Sequence, residues 1–434
     1  MSPDRKDIDP AYAASLMRGM TQRRVSRRDL IKYGGATVGT LSLASILAAC
    51  GGEPAGSGGG GATGTSGQTV DFTAPAGDAI NFANWPLYID STKDPETGER
   101  VHPSLDTFTE QTGMTVNYNP EIQANASFFG ELLPQLQAGQ DTGRDIIVIT
   151  NGREFTALTF NGWVTELDPK LRPNFDANAA SWAKDPEYDV GNKYSMAWQS
   201  GLTGIGYLTE RVSQPVTKMD DLMNPDIVGT SSVGMITGDM PGLVMINLGI
   251  DPVTSGPAEW QEAADWIQML KDSGTLRKFY DQGYIDDFTA GNLSASMAWS
   301  GDVLYYKVWE NKPYEWVVPD GGALLWIDNM MIPANSANPQ GAYQLMDYVY
   351  KPEIAQMITE WVAYMSPVPA VQDLIAQHAE EVSGEYAADL TDMAENPLLW
   401  PDEQLLAQTS FDRNLTTDEE REEYDAIFIP ITET

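Results

Sequence analysis

The sequence predicts an α/β protein in which a mostly parallel sheet is flanked by helices. Three observations carry this. Short apolar runs of strand length alternate with helix-spaced stripes from about residue 80 to about residue 350. The run Ile146-Ile147-Val148-Ile149 reads as a strand buried on both faces, as strands of parallel sheets are. Trp260, Ala263, Ala264, Ile267 and Leu270 form one apolar helical stripe of the kind that packs on such a sheet.

In chain order, Ile80–Ala83 reads as a strand leading into Asn84-Trp85-Pro86. Ser104–Gln111 is a helix stopped by Gly113, and Met114–Tyr118 is a strand. Ser127–Gln137 is a helix with Phe128, Leu132, Leu133 and Leu136 near helical spacing, followed by the strand Asp145–Thr150. The stripe that starts at Trp260 gives the next clear helix. Ser296–Trp299, Trp316–Val318 and Leu324–Asp328 are strands. Ala342, Leu345, Met346 and Val349 mark a helix opened by Asn338-Pro339, a start signal. The acidic tail Thr417–Tyr424 reads as a solvated helix face. No internal repeat is visible.

The N-terminus reads as a leader, not as part of the fold. Arg27 and Arg28, with Leu30 and Lys32, resemble a bacterial twin-arginine export signal. The apolar run from Gly34 to Ala49 is short for a membrane span. It ends in Leu47-Ala48-Ala49-Cys50, which looks like a lipobox, and in such signals the cysteine is lipidated and becomes the mature N-terminus. Residues 51–68 contain nine glycines in eighteen residues. A segment of that composition cannot bury enough apolar surface to offset its ordering entropy. It reads as a flexible tether with a reach of roughly 25 Å.

Composition narrows the function. The formal charge is −36, and removing residues 1–49, which hold 8 basic and 4 acidic side chains, leaves 18 basic and 58 acidic, or −40. Such a field disfavours nucleic acids and anionic lipid, and it attracts cations. With a single cysteine the chain forms no internal disulfide. Export by the twin-arginine route, which carries folded proteins, fits that lack. His102 and His378 lie far apart, and each reads as a surface residue. No His-centred triad, His/Cys zinc set, Walker A run or dinucleotide fingerprint occurs, so no cofactor is expected.

What remains is aromatic rings and carboxylates at strand ends. Trp85 and Tyr88 follow the first strand; Trp299 and Asp302 end another; Trp326 and Asp328 bracket a third. In open α/β sheets, ligands sit beyond the carboxyl ends of strands. A ring that covers methylenes and attracts a cation, beside a carboxylate that neutralises it, suits an ammonium on an alkyl chain.

These segments resemble a known family, the solute-binding lipoproteins of ABC importers, in the spermidine/putrescine-binding branch. The resemblance covers roughly residues 79–370. It rests on Asn84-Trp85-Pro86-Leu87-Tyr88, Arg144-Asp145-Ile146-Ile147-Val148, Tyr194-Ser195-Met196-Ala197-Trp198, Trp299-Ser300-Gly301-Asp302 and Leu325-Trp326-Ile327-Asp328. Ile332-Pro333-Ala334-Asn335 followed by Asn338–Tyr348 also matches. The resemblance implies a periplasmic-binding-protein fold of type II, with two lobes of mixed sheets and helices joined by a hinge. It places 79–200 plus 328–365 in lobe 1 and 201–327 plus 366–434 in lobe 2, behind a signal (1–49) and a linker (50–78).

The resemblance also implies the site. Trp85 and Tyr88 form a wall on lobe 1, Thr150 stands at a strand end, and Trp299 and Trp326 line the cleft. Asp302 and Asp328 bind ammonium groups, with Asp239 a further acid and Tyr364 a nearby contact. The implied function is capture of a polyamine and its delivery to a permease with a cytoplasmic ATPase. The carrier would be a monomer without a reaction of its own, lipid-anchored outside the cell membrane. Departures from the family pattern leave the ligand open. Pro86 replaces a hydroxyl residue, Arg153 brings a positive charge near the cleft, and Gly242 stands where a second acid follows Asp239. A zwitterionic amino compound or a sugar are alternatives, and a glycosidase with two carboxylates is a further one.

Overall fold

The computed structural model describes residues 70–432 apart from 95, 96, 281, 282, 310 and 311. Arg27, Arg28, Cys50 and the glycine-rich segment lie outside the described residues. The first run of elements is β1 (Ala79–Asn84), α1 (Pro103–Thr112), β2 (Thr115–Pro120), α2 (Asn125–Gln137), β3 (Ile146–Thr150) and α3 (Arg153–Phe160). β1 pairs in parallel with both β2 and β3. Gly113, at φ 77°, ends α1 in the left-handed conformation that glycine adopts without penalty.

The second run starts with β4 (Ser195–Leu208) and continues through β5 (Val233–Ile236), α4 (Met240–Asn247), α5 (Pro257–Asp272) and β6 (Leu276–Tyr280). α6 (Tyr284–Thr289), β7 (Ala295–Trp299), α7 (Ser300–Trp309), β8 (Tyr314–Val317) and β9 (Ala323–Met331) follow. The remainder is α8 (Pro339–Tyr348), α9 (Pro352–Val362), α10 (Val371–Glu381), α11 (Glu385–Glu395), β10 (Thr409–Ser410) and α12 (Asp418–Thr432). The Asn338-Pro339 start is confirmed: the Asn338 side chain accepts from Gly341 N and caps α8.

The strands form one mixed sheet in the order β2-β1-β3-β9-β4-β7-β5-β6, with β8 on β4 and β10 on β9. Parallel pairing holds within each end, where β5 pairs with β6 and β7. The middle is antiparallel, because β4 and β9 run across the molecule in opposite directions. β9 meets β3 at one end, and β4 meets β7 and β8 at the other. The mostly parallel reading therefore describes the two ends and misses the centre.

Two buried cores flank this centre. One gathers residues from Ile80 to Trp198 with Met330–Ile332 and the helices that follow; the other gathers Leu202 to Leu324 with Leu415 and Phe428. Three segments connect them: β4, β9 and the stretch from Leu399, in the first core, to β10, which pairs with Ala323 and Leu324 beside the second. Residues 363–366 also touch the centre, where Ser200 and Met365 exchange backbone hydrogen bonds at 3.1 and 2.9 Å. The β4–β9 register shifts between Asp328 and Asn329, a bulge at the passage from one core to the other.

Two details differ from the sequence reading. Val368, Val371, Ile375, Leu390 and Met393 belong to the first core, so 368–399 packs there and not with the second lobe as the 366–434 boundary has it. The apolar faces of α10 and α11 find their burial beside α9. The acidic tail is also less solvated than its charge implies. Tyr424 packs its ring 5.2 Å from Trp260, and Phe428 is buried. Among the described residues, no helix is long and apolar enough to cross a membrane.

Candidate ligand-binding cleft

The cleft is built from strand ends. The carboxyl ends of β1, β3, β5 and β7 deliver Trp85, Thr150, Asp239 and Trp299 to one space. Trp326 and Asp328 lie within β9, which runs on to Met331 and so is longer than the expected Leu324–Asp328 strand. Two residues apart on a strand, they point to one face. The space encloses about 190 Å³. All nine expected residues line it: Trp85, Tyr88, Thr150, Asp239, Trp299, Asp302, Trp326, Asp328 and Tyr364. Asn125, Ile285, Tyr305, Tyr306 and Val362 join them without having been anticipated. Tyr305 and Tyr306 stand three and four residues after Asp302 on α7, a helical spacing that was readable.

Each carboxylate is held by neutral donors. Asp328 is buried and accepts from Tyr88 OH at 2.8 Å and Thr150 Oγ1 at 2.6 Å. Asp302 accepts from Tyr284 OH at 2.7 Å and Tyr364 OH at 2.8 Å. Asp239 accepts from Trp299 Nε1 at 2.9 Å and from Thr203 Oγ1 at 2.5 Å. Among the described residues none of the three is in a salt bridge, and no Lys, Arg or His lines the space. Arg153 does not enter the cleft; it pairs with Asp425 at 3.1 Å. His102 and His378 are partly buried outside it, bonded to Asp90 O and to Glu360.

The indoles use their N–H groups inside the protein. Trp85 donates to Val148 O at 3.2 Å, Trp326 to Thr203 Oγ1 at 3.1 Å, and Trp299 to Asp239. What they offer a ligand is ring surface. Tyr364 packs between Tyr88, edge-on at 5.4 Å, and Trp326 at 5.5 Å. Gly201 lets Trp326 lie against β4, since a Cβ there would come within 2.5 Å of the indole.

Burial disfavours the charged form of these acids. It pushes Asp328 up to about 6, against the opposing hydrogen bonds from Thr150 and Tyr88, and Asp239 adds to the rise. Asp302 and Asp239 are raised for the same reason. Burial also drives the phenols of Tyr88, Tyr284 and Tyr364 well above the usual tyrosine range, so they remain donors.

This has a sign for stability. Asp328 titrates at about 6 when folded and at about 4 when unfolded, so between those values the folded chain binds more protons. Its contribution to stability therefore falls as pH rises through that window. Asp328→Asn is expected to raise Tm at about pH 7.5 and to match the wild type near pH 4, checked by melts at both values. A variant less stable at the higher pH would contradict the assignment of an uncompensated buried charge.

Residues 104–390 match the family model of bacterial extracellular solute-binding proteins. The chain belongs to this family. Among similar solute-binding proteins is spermidine/putrescine-binding periplasmic protein 1 of Haemophilus influenzae, 26% identical over 298 residues, which cover 68% of this chain and 77% of that one. The putrescine-binding periplasmic protein PotF of Escherichia coli is 26% identical over 350 residues, 73% of this chain and 85% of its own. The fold of this solute-binding protein is also that of PotD from Streptococcus pneumoniae. That crystal structure gives a TM-score of 0.65 at 22% identity and covers 82% of this chain and 98% of that one. The lipoprotein Tp0655 of Treponema pallidum matches at 0.65 and 16% identity, covering 82% of this chain and all of its own.

Proposed function

We propose that this solute-binding protein captures a polyamine, an alkyl chain bearing two or more ammonium groups, and delivers it to an ABC importer. One observation carries the reading: Asp239, Asp302 and Asp328 converge among aromatic faces, and among the described residues no cation pairs with them. A bound ammonium supplies the missing charge, and the rings cover the methylenes between charges. The relatives described above, named as spermidine/putrescine- and putrescine-binding proteins, support it. A zwitterion's carboxylate finds no Lys or Arg in the lining, and a neutral sugar leaves three acids unpaired.

In this reading the lobes close on the amine about the three crossing segments, and the closed form docks on permease subunits served by an ATPase. No reaction is assigned to the cleft. The export signal at Arg27 and Arg28 and the lipid anchor at Cys50 belong to the same proposal and rest on the sequence.

Calorimetric titration tests the reading, with putrescine, spermidine, cadaverine, a betaine, an amino acid and maltose at two salt concentrations. Saturable amine binding that weakens with salt is the expected result. Heat from the sugar or zwitterion alone would keep the fold and move the ligand to another class.

A further inference from the structure

The segment from the end of α11 to Thr432 is anchored in the second lobe and touches the first. Leu415 and Phe428 are buried in the second core, Lys271 Nζ donates to Ile431 O at 2.8 Å, and Arg413 Nη1 donates to Val253 O at 2.7 Å. Across the gap, Asp425 pairs with Arg153 at 3.1 Å, and Thr156 donates to Asn414 Oδ1 at 2.5 Å. The Phe411 ring stands edge-on to Tyr188 at 6.0 Å. Both lobe-1 partners Arg153 and Thr156 sit on α3, directly after the cleft residue Thr150. The segment is an interlobe strap, and it lies beyond the matched family region, which ends at residue 390.

Asp412 is in the middle of this strap. Its Oδ1 lies 2.6 Å from the point where a Cβ would stand at Gly242, in the first turn of α4 and three residues beyond Asp239. Glycine at 242 leaves the room that the carboxylate fills. Oδ1 also accepts from Arg413 N at 2.7 Å. The nearby guanidinium groups are turned elsewhere: Arg413 holds Glu420 at 2.7 Å, and Arg153 holds Asp425. Among the described residues Asp412 is in no salt bridge. Burial, with Asp239 adding to it, pushes its carboxyl up to about 7. Asp412 is not itself in the lining of the space; it stands against the first turn of the helix that Asp239 opens, so its charge adds to that of Asp239, and a ligand charge at that end relieves the repulsion.

We propose that Asp412 is a specificity-determining residue, a carboxylate on the interlobe strap that equips the Asp239 end of the cleft for an additional ammonium, so that the site favours a triamine over a diamine. This rests on the polyamine reading above. The test titrates purified wild type and Asp412→Asn with spermidine and with putrescine, and melts both proteins without ligand. The expected result is a loss of about tenfold for spermidine, a change below about threefold for putrescine, and a Tm that does not fall. Unchanged spermidine affinity, or equal losses for both amines, would overturn it. If wild type binds neither amine, the polyamine reading itself fails, and that is seen before any variant is compared. Should Asp412→Asn not fold, Asp412→Gly combined with Gly242→Asp returns a carboxylate to the same space from α4. Recovery of the triamine preference in that double variant supports the proposal; its absence overturns it.

Discussion

Asp328→Asn is expected to weaken amine binding by about 2–5 kcal/mol, from about thirtyfold to several thousandfold. The wild-type carboxylate uses one oxygen for Tyr88 and the other for Thr150, and both donors are neutral. Its negative charge is therefore uncompensated within the protein and available to a ligand. Asparagine keeps the shape, loses the charge and offers one acceptor where two donors converge. One hydroxyl must turn away, so part of the loss is geometric. Titration with putrescine and spermidine at neutral pH measures the effect, with a melt to confirm folding. Wild-type affinity in a folded Asp328→Asn protein would remove this residue from the site.

Gly301→Val is expected to damage the cleft from behind and to destabilise the protein by about 1–3 kcal/mol. A Cβ on Gly301 would stand 2.5 Å from Cε2 and Cζ of Tyr364. The ring has nowhere to retreat, because Tyr88 and Trp326 pack against it. Moving it breaks the hydrogen bond from Tyr364 to Asp302, leaving that carboxylate with Tyr284 alone. Urea unfolding and amine titration should therefore both shift. A variant with wild-type stability and affinity would show that Tyr364 moves freely, against the packing described.

Much of this architecture is legible in the residues, for reasons that differ by element. The β3 strand announces itself by four consecutive β-branched apolar residues, and α8 by its Asn-Pro start. β4 does not. Gly201, Gly204 and Gly206 lower its strand signal, and burial on both faces removes the alternation that marks a half-exposed strand. Its pairing with β9 also decides that the sheet is continuous, a long-range fact that no local pattern carries. At the site, the aromatic–acid pairs were readable because each occurs within a few residues. Tyr284 and Thr203, which hold the acids, were not, since their partners lie 18 and 36 residues away. Asp412 is the extreme case: its neighbour Gly242 is separated from it by most of the second lobe.

The bulge between Asp328 and Asn329 has a consequence for the order of events. Asp328 sits beside the irregular step in a strand shared by both halves of the molecule. When two arms swing about a pivot, a group on the pivot travels least, and groups at the arm tips travel most. If the lobes close as proposed, Asp328 would present much the same carboxylate throughout, while Asp239 and Asp302, carried on the second arm, would change their distance from the first-arm wall of Trp85. In the proposed capture, an arriving amine would meet a fixed anchor first and gain its remaining partners as the arms converge. On that proposal the first contact would set how often capture starts, and the later ones how long the captured molecule stays.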